Sequence, residues 1–301
     1  MKDRVGRGAR THVADGLDRL LSQWSEDLNL AGNTVDFYPI RAVTFLEVFT
    51  RAAIAELVDH GRSYATNATT LCKNLRFDFE LVRAIGDRTI TLGDIVAHSV
   101  SLNDLSQIFS AYEVLLGKPF KPLLETVVDR WAVEVMQAQE GPIIDNVDDV
   151  LRKFARLIEL RHILCHELPR REVYQVTEIP DLLNAARRFC RAVDWILTAE
   201  LNGNVPLTQS DMNIRAIEEA SAADKELDEI IDKLGHGDDA EYLKEAQAAW
   251  LVYRQKECLY CSPPEGGGSI KPLLRAMEAK SLTEERIARL RLRLNREEGA
   301  V

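Results

Sequence analysis

At 301 residues the chain is long enough for two domains. Its 46% apolar and 29% charged content fits a globular protein, and a formal charge of −10 argues against a general electrostatic grip on nucleic acid. No run approaches the ~18 apolar residues of a membrane span, and the start lacks an apolar core of signal-peptide length, so the expectation is a cytoplasmic chain that enters no membrane. Five cysteines (Cys72, Cys165, Cys190, Cys258 and Cys261) make no disulfide framework, and most read as buried thiols. Cys258 and Cys261 have CxxC spacing, with no second pair to complete a zinc site.

In chain order, a helical pattern runs from about Leu17 to Leu28, before a turn at Ala31-Gly32-Asn33. Ile40 to His60 places Phe45, Val48, Phe49, Ala52, Ala53 and Leu57 on one face, with Gly61 as its stop. Phe77 to Ile85 predicts a shorter helix. Thr91 opens a short helix, and a longer one follows from about Asn103 to Leu116, broken by Gly117-Lys-Pro119. Pro122 to Gln139 reads as a further amphipathic helix. Ile179 to Leu201 predicts another, with Leu182, Ala186, Phe189, Val193 and Ile196 on one side. Period-two alternation is confined to one short stretch at Arg171 to Thr177. The fold class is all-α, a helical bundle followed by a small helical domain.

The turn-forming run Asn202-Gly-Asn-Val-Pro206 divides the chain into domains at 1–201 and 207–301. Beyond it, helices are predicted over Asp211–Leu234 and Asp239–Tyr260, then from Ile270 to Lys280. Ser281 and Glu284 have capping-box spacing and are expected to open a fourth, whose basic end reads as a solvated face.

The stretch richest in chemistry is Val147 to Pro169. Val147, Val150, Leu151, Phe154, Leu157 and Ile158 recur at helical spacing, and continuing the stripe by three lands on Arg161. A core-facing arginine is costly unless paired. His162 and His166 follow, before Pro169 ends the helix. At about 100° per residue Arg161 and His166 lie ~140° apart, with His162 between them. Arg170 and Arg171 add local positive charge.

Arg161-His162-Ile-Leu-Cys-His166 resembles the R-x(4–6)-H motif of HEPN domains, all-α ribonuclease and nucleotide-binding modules, over roughly residues 35–200. The resemblance implies metal-independent cleavage of RNA at a site shared by two protomers. In it, His166 would deprotonate the ribose 2′-OH or protonate the leaving 5′-oxygen, as an imidazole suits near neutrality. Arg161 would hold the phosphate in its fork of donors, and His162 would orient the pair or touch the phosphate. The blander reading pairs Arg161 with an acid such as Glu159, or Glu167 from a dimer mate, and leaves both histidines hydrogen-bonded in the core. The i, i+4 histidines also suit one metal ion, with Cys165 or a distant group as the missing ligand, yet the expected site holds neither metal nor cofactor.

Leu207 to Asn213, Ala223 to Leu227, Ala248 to Cys258 and Gly266 to Ser269 are similar to blocks of the lysozyme-inhibitor LprI family, small helical modules usually exported and disulfide-bonded. Arg215 and Glu278 stand near positions where that family carries cysteines, so its disulfides are expected to be missing and lysozyme inhibition does not carry over directly. Trp250 and Tyr253 read as core. The Gly-Gly-Gly-Ser loop reads as a turn, without the helix-opening motif of a phosphate loop. Together the two resemblances imply a cytoplasmic homodimer, a toxin or antiviral-defence effector that cuts RNA. Its C-terminal domain would meet a neutralising antitoxin or a trigger protein. The rival is a non-catalytic module of the same type that binds a nucleotide or a protein partner.

Overall fold

The computed structural model describes residues 9–26, 35–73, 79–87, 90–167, 173–236, 239–264 and 268–297. The expected turn at 31–33, the stop at Pro169, the basic pair Arg170 and Arg171, and Gly266 and Gly267 of the Gly-Gly-Gly-Ser loop lie outside these residues. The described residues are all-α, and their only β element is an isolated bridge between Val128 and Pro142. Contacts divide the chain into two compact units, Met1–Val205 and Pro206–Val301.

The first unit is built around its second helix. Helix α1 (Ala9–Glu26) is followed by α2 (Phe37–His60), which buries Leu46, Phe49, Ala53, Ile54 and Leu57. Short helices α3 (Arg62–Asn67) and α4 (Phe79–Gly86) lead to α5 (Leu92–Ser99). Thr91 and Asp94 close a capping box at the start of α5, each side chain meeting the other residue's backbone N–H. Helix α6 (Leu105–Leu116) ends on Gly117 at φ 67°, the left-handed conformation that favours glycine. Helix α7 (Lys121–Thr126), α8 (Val147–His166) and α9 (Ile179–Asn202) complete the unit. Helices α1, α5, α8 and α9 pack around α2, and α9 also packs on α1 and α8. Phe154 of α8 and Phe189 of α9 meet at 4.8 Å between ring centroids, both fully buried. Arg10 ties three helices together, reaching Glu56 of α2 and Asp194 of α9 at 2.7 Å each. Burial holds the Asp194 carboxyl above its usual range against the pull of Arg10, with Glu56 adding to the rise.

The helix expected over Pro122 to Gln139 is not formed. Only α7 is α-helical; Val128 then bridges to Pro142, and Ile143 N–H donates to the Val127 carbonyl at 2.9 Å. Asp129, nearly buried, pairs with Arg191 of α9 and accepts from Ala132 N–H at 3.0 Å, which starts a single π turn over Trp131–Val135. Two adjacent β-branched valines and this long-range ion pair override the apolar spacing. Trp131 and Met136, at the start and the end of this turn, are exposed.

The described residues of the second unit form three helices: α10 (Gln209–Leu234), α11 (Ala240–Cys261) and α12 (Lys271–Glu297). Thr208 and Asp211 form the capping box that opens α10. Helix α12 packs along α10 and, less extensively, on α11. Leu227, Ile230, Ile287 and Leu290 make the core, with Leu243 and Trp250 against it. The third and fourth helices expected here are one. No glycine or proline separates Lys280 from Ser281, and Ala276, Thr283, Ile287 and Leu290 continue one buried face through the supposed break. Thr283 is satisfied inside α12, donating to the Ala279 carbonyl at 2.7 Å and accepting from Arg254 at 2.8 Å; Arg254 also pairs with Asp224. The basic end of α12 is not wholly solvated, because Arg286 is half-buried over the Trp250 ring, 5.9 Å from its centroid.

Candidate functional site

Asn146 starts α8 by accepting from Asp149 N–H at 3.0 Å, and Asp148 and Asp149 sit in the first turn, where the helix dipole favours acids. Val147, Val150, Phe154, Leu157 and Leu160 are buried. The buried stripe therefore steps from Leu157 to Leu160, and Arg161, about 100° further round, stands at the rim of the core. This corrects its reading as a core-facing residue. The Arg161 side chain is 37% exposed, and its Nη2 lies 3.9 Å from Oε1 of Glu47 on α2, a long and partly exposed ion pair.

His162, Cys165 and His166 are all exposed. The two imidazoles lie on adjacent turns with ring centroids 5.2 Å apart. Neither is in the core, so the histidines are not structural hydrogen-bonding groups there. Glu159 does not partner Arg161 either: it meets Arg156 at 2.7 Å. His166 is the last residue of α8, whose C-terminal carbonyls favour positive charge. The helix end thus gathers a guanidinium and two imidazoles on one accessible arc. Arg161 and His166 do not converge within the chain, being ~140° apart on the helix.

Two residues that the local pattern did not single out hold this end in place. Glu47 is the lone acid in the apolar run Phe45-Leu-Glu-Val-Phe49 of α2, a signal visible only once α2 and α8 are known to pack. Arg156 donates to the Val173 carbonyl at 2.5 Å and reaches Glu178 at 3.5 Å, fastening the chain where it is next described after the site. Desolvation opposes the Arg156 charge and these carboxylates outweigh it, so the group is held above its ordinary value. Among the described residues no group of three or more His, Cys, Asp or Glu side chains is placed to hold a metal ion. None of the described helices is long and apolar enough to cross a membrane.

In the second unit Cys258 is half-buried, with burial pushing its thiol up, and Cys261 is exposed; both are free. Trp250 packs against the core, whereas Tyr253 is 51% exposed and is not a core residue. A family model described as lysozyme inhibitor LprI matches residues 204–290, which span nearly all of this unit. No curated protein and no solved structure matches the chain.

Proposed function

We propose that the first unit is a metal-independent endoribonuclease of HEPN type, acting as a homodimer, and that the second unit binds a protein partner. The observation that carries the first reading is the accessible trio Arg161, His162 and His166 at the end of α8, two imidazoles 5.2 Å apart beside a guanidinium with one long ion pair. In the reaction, His166 takes the proton of the ribose 2′-OH. The 2′-oxygen attacks the adjacent phosphorus, and the bond to the 5′-oxygen breaks as that oxygen gains a proton. Arg161 spreads donors across the charged phosphoryl oxygens, and His162 orients the group or supplies the second proton transfer. Two α8 helices about a two-fold axis bring Arg161 of one protomer to His166 of the other, which answers their separation on a single helix.

The LprI match supports the second unit as a protein-binding module, a neutralising antitoxin or a trigger protein being the kind of partner a toxin or defence effector requires. The proposal sets the chain in the cytoplasm, where thiols such as Cys258 and Cys261 stay reduced. The same match, with the charge of −10, favours a second reading in which the whole chain is a non-catalytic binding protein. The two are separated by incubating RNA with purified wild type, Arg161→Ala and His166→Ala in chelator and determining the product ends. Cleavage to 2′,3′-cyclic phosphates, lost in both variants, supports the nuclease. Intact RNA with all three folded proteins supports the binding module.

A further inference from the structure

Helix α11 is 22 residues long and buries none of them. It leans on the rest of its unit through one side, which carries Leu243, Trp250 and Arg254. At about 100° per residue, Tyr242, Ala246, Ala249, Tyr253 and Tyr260 fall within an arc of ~60°, roughly a right angle from that side. The three tyrosines are 73%, 51% and 84% exposed, and both alanines are exposed. Single exposed apolar residues are ordinary, but three tyrosines aligned over about 27 Å of one helix make a contact surface, tyrosine being the residue that interfaces favour.

The stripe is complementary to itself. We propose that the second unit pairs with a second copy of this chain through α11, antiparallel, about a two-fold axis that crosses the stripe midway between Ala249 and Tyr253. That axis sets each Tyr242 opposite Tyr260 of the other copy. Each Tyr253 ring lies over the small Ala249 of the other copy, and the exchange is reciprocal, as a two-fold contact requires. The charges choose the direction. Glu245 and Lys256 lie on the same flank of the stripe, and in an antiparallel pair that flank faces itself, so Glu245 of each copy meets Lys256 of the other. In a parallel pair the axis runs along the helices, this flank faces the opposite flank of the other copy, and Glu245 and Lys256 do not meet. Neither residue takes part in the ion pairs among the described residues of the unit. At about 200 Å² for a whole side chain, the exposed tyrosine surface is ~400 Å² per chain. That is about half of a standard interface, so association in the ten-micromolar range is expected. This surface is separate from α8, and the inference does not rest on the nuclease reading.

The test uses the full chain, with light and ¹⁵N-labelled copies mixed at about 100 μM, well above the expected dissociation constant. A zero-length carbodiimide cross-link is expected between Glu245 of one isotope and Lys256 of the other, and Tyr253→Glu should lower its yield about tenfold. In sedimentation velocity, Glu245→Lys and Lys256→Glu should each weaken the same association about fivefold, and the two together in one chain should restore it. Absence of the mixed cross-link, as when the stripe serves a different protein, overturns the proposal. So does a cross-link indifferent to Tyr253→Glu, or an association that Glu245→Lys fails to weaken, as in a parallel pair, where Glu245 does not meet Lys256.

Discussion

Gly93→Ala puts the packing beneath the candidate site to a severe test. Helix α5 crosses α2 at this glycine, where an added Cβ would stand 2.2 Å from the Ala55 carbonyl oxygen and 2.8 Å from both its carbonyl carbon and Cα. All three atoms are backbone of α2, so no side chain can swing aside. Relief requires moving α5 outward. That loosens the bond from Gly93 N–H to the Asp59 carboxylate, 2.8 Å, and the one from Arg51 to the Ala97 carbonyl, 2.5 Å. It also opens the seam over buried Val96 and Ala97. Overpacking of this kind costs about 1–3 kcal/mol, and lost hydrogen bonds add about 1 kcal/mol each. Against this, alanine gains at most ~1 kcal/mol of helix propensity over glycine. The net expectation is a loss of about 3 kcal/mol, or a fall of some 6–10 °C in the melting of a unit this size. Gly141→Ala is the control, since its Cβ meets nothing within 4 Å, and it should change stability by less than ~0.5 kcal/mol. Thermal and urea unfolding followed by circular dichroism measures both. A Gly93→Ala protein as stable as wild type, or a Gly141→Ala protein equally damaged, would refute the reasoning.

Arg156→Ala should quicken hydrogen exchange over residues 173–178, because it removes the bonds to Val173 and Glu178; under the nuclease proposal, cleavage should fall while its pH profile keeps its shape. Arg254→Met should destabilise the second unit by about 2 kcal/mol in urea unfolding, since buried Thr283 and the Asp224 carboxylate lose their shared donor. Lys280, and after it Arg215, hold the Glu219 carboxyl below its usual 4.5. The folded state therefore binds this proton less readily than the unfolded chain. The stabilisation is fully present above pH 4.5 and is lost as pH falls through the folded value. Glu219→Gln should flatten that part of the acid-unfolding curve, and an unchanged slope would count against the Lys280 contact.

Helices whose apolar spacing, caps and breakers agree were legible from sequence. Helix α8 begins at Val147 and α9 at Ile179, where the spacing and the flanking polar residues place them. What failed were inferences in which a long-range partner decides. A stripe continued through Ile158 points Arg161 at the core, yet the crossing of α8 with α2 and α9 buries Leu160 and leaves Arg161 at the rim beside Glu47. The segment after Thr126 has helical spacing, but Asp129 is drawn to Arg191. Ser281 has the chemistry of a cap with nothing before it to end a helix, and α12 runs straight through. Tyr253 is close to Trp250 in sequence, but three residues turn it some 60° further from α12, enough to take it out of the core. The trio at the end of α8 could be picked from sequence because its members are neighbours on one helix. Their shared exposure could not, since it depends on which face α2 covers.

The measurement that bears most directly on a site shared by two chains is mixing. Arg161→Ala and His166→Ala proteins, each inactive alone, are denatured together, refolded and assayed on RNA in chelator. In a mixed dimer one site keeps Arg161 from one chain and His166 from the other, so random pairing should restore about a quarter of wild-type cleavage. A mixture as inactive as its components, with mixed dimers confirmed, would contradict the shared site.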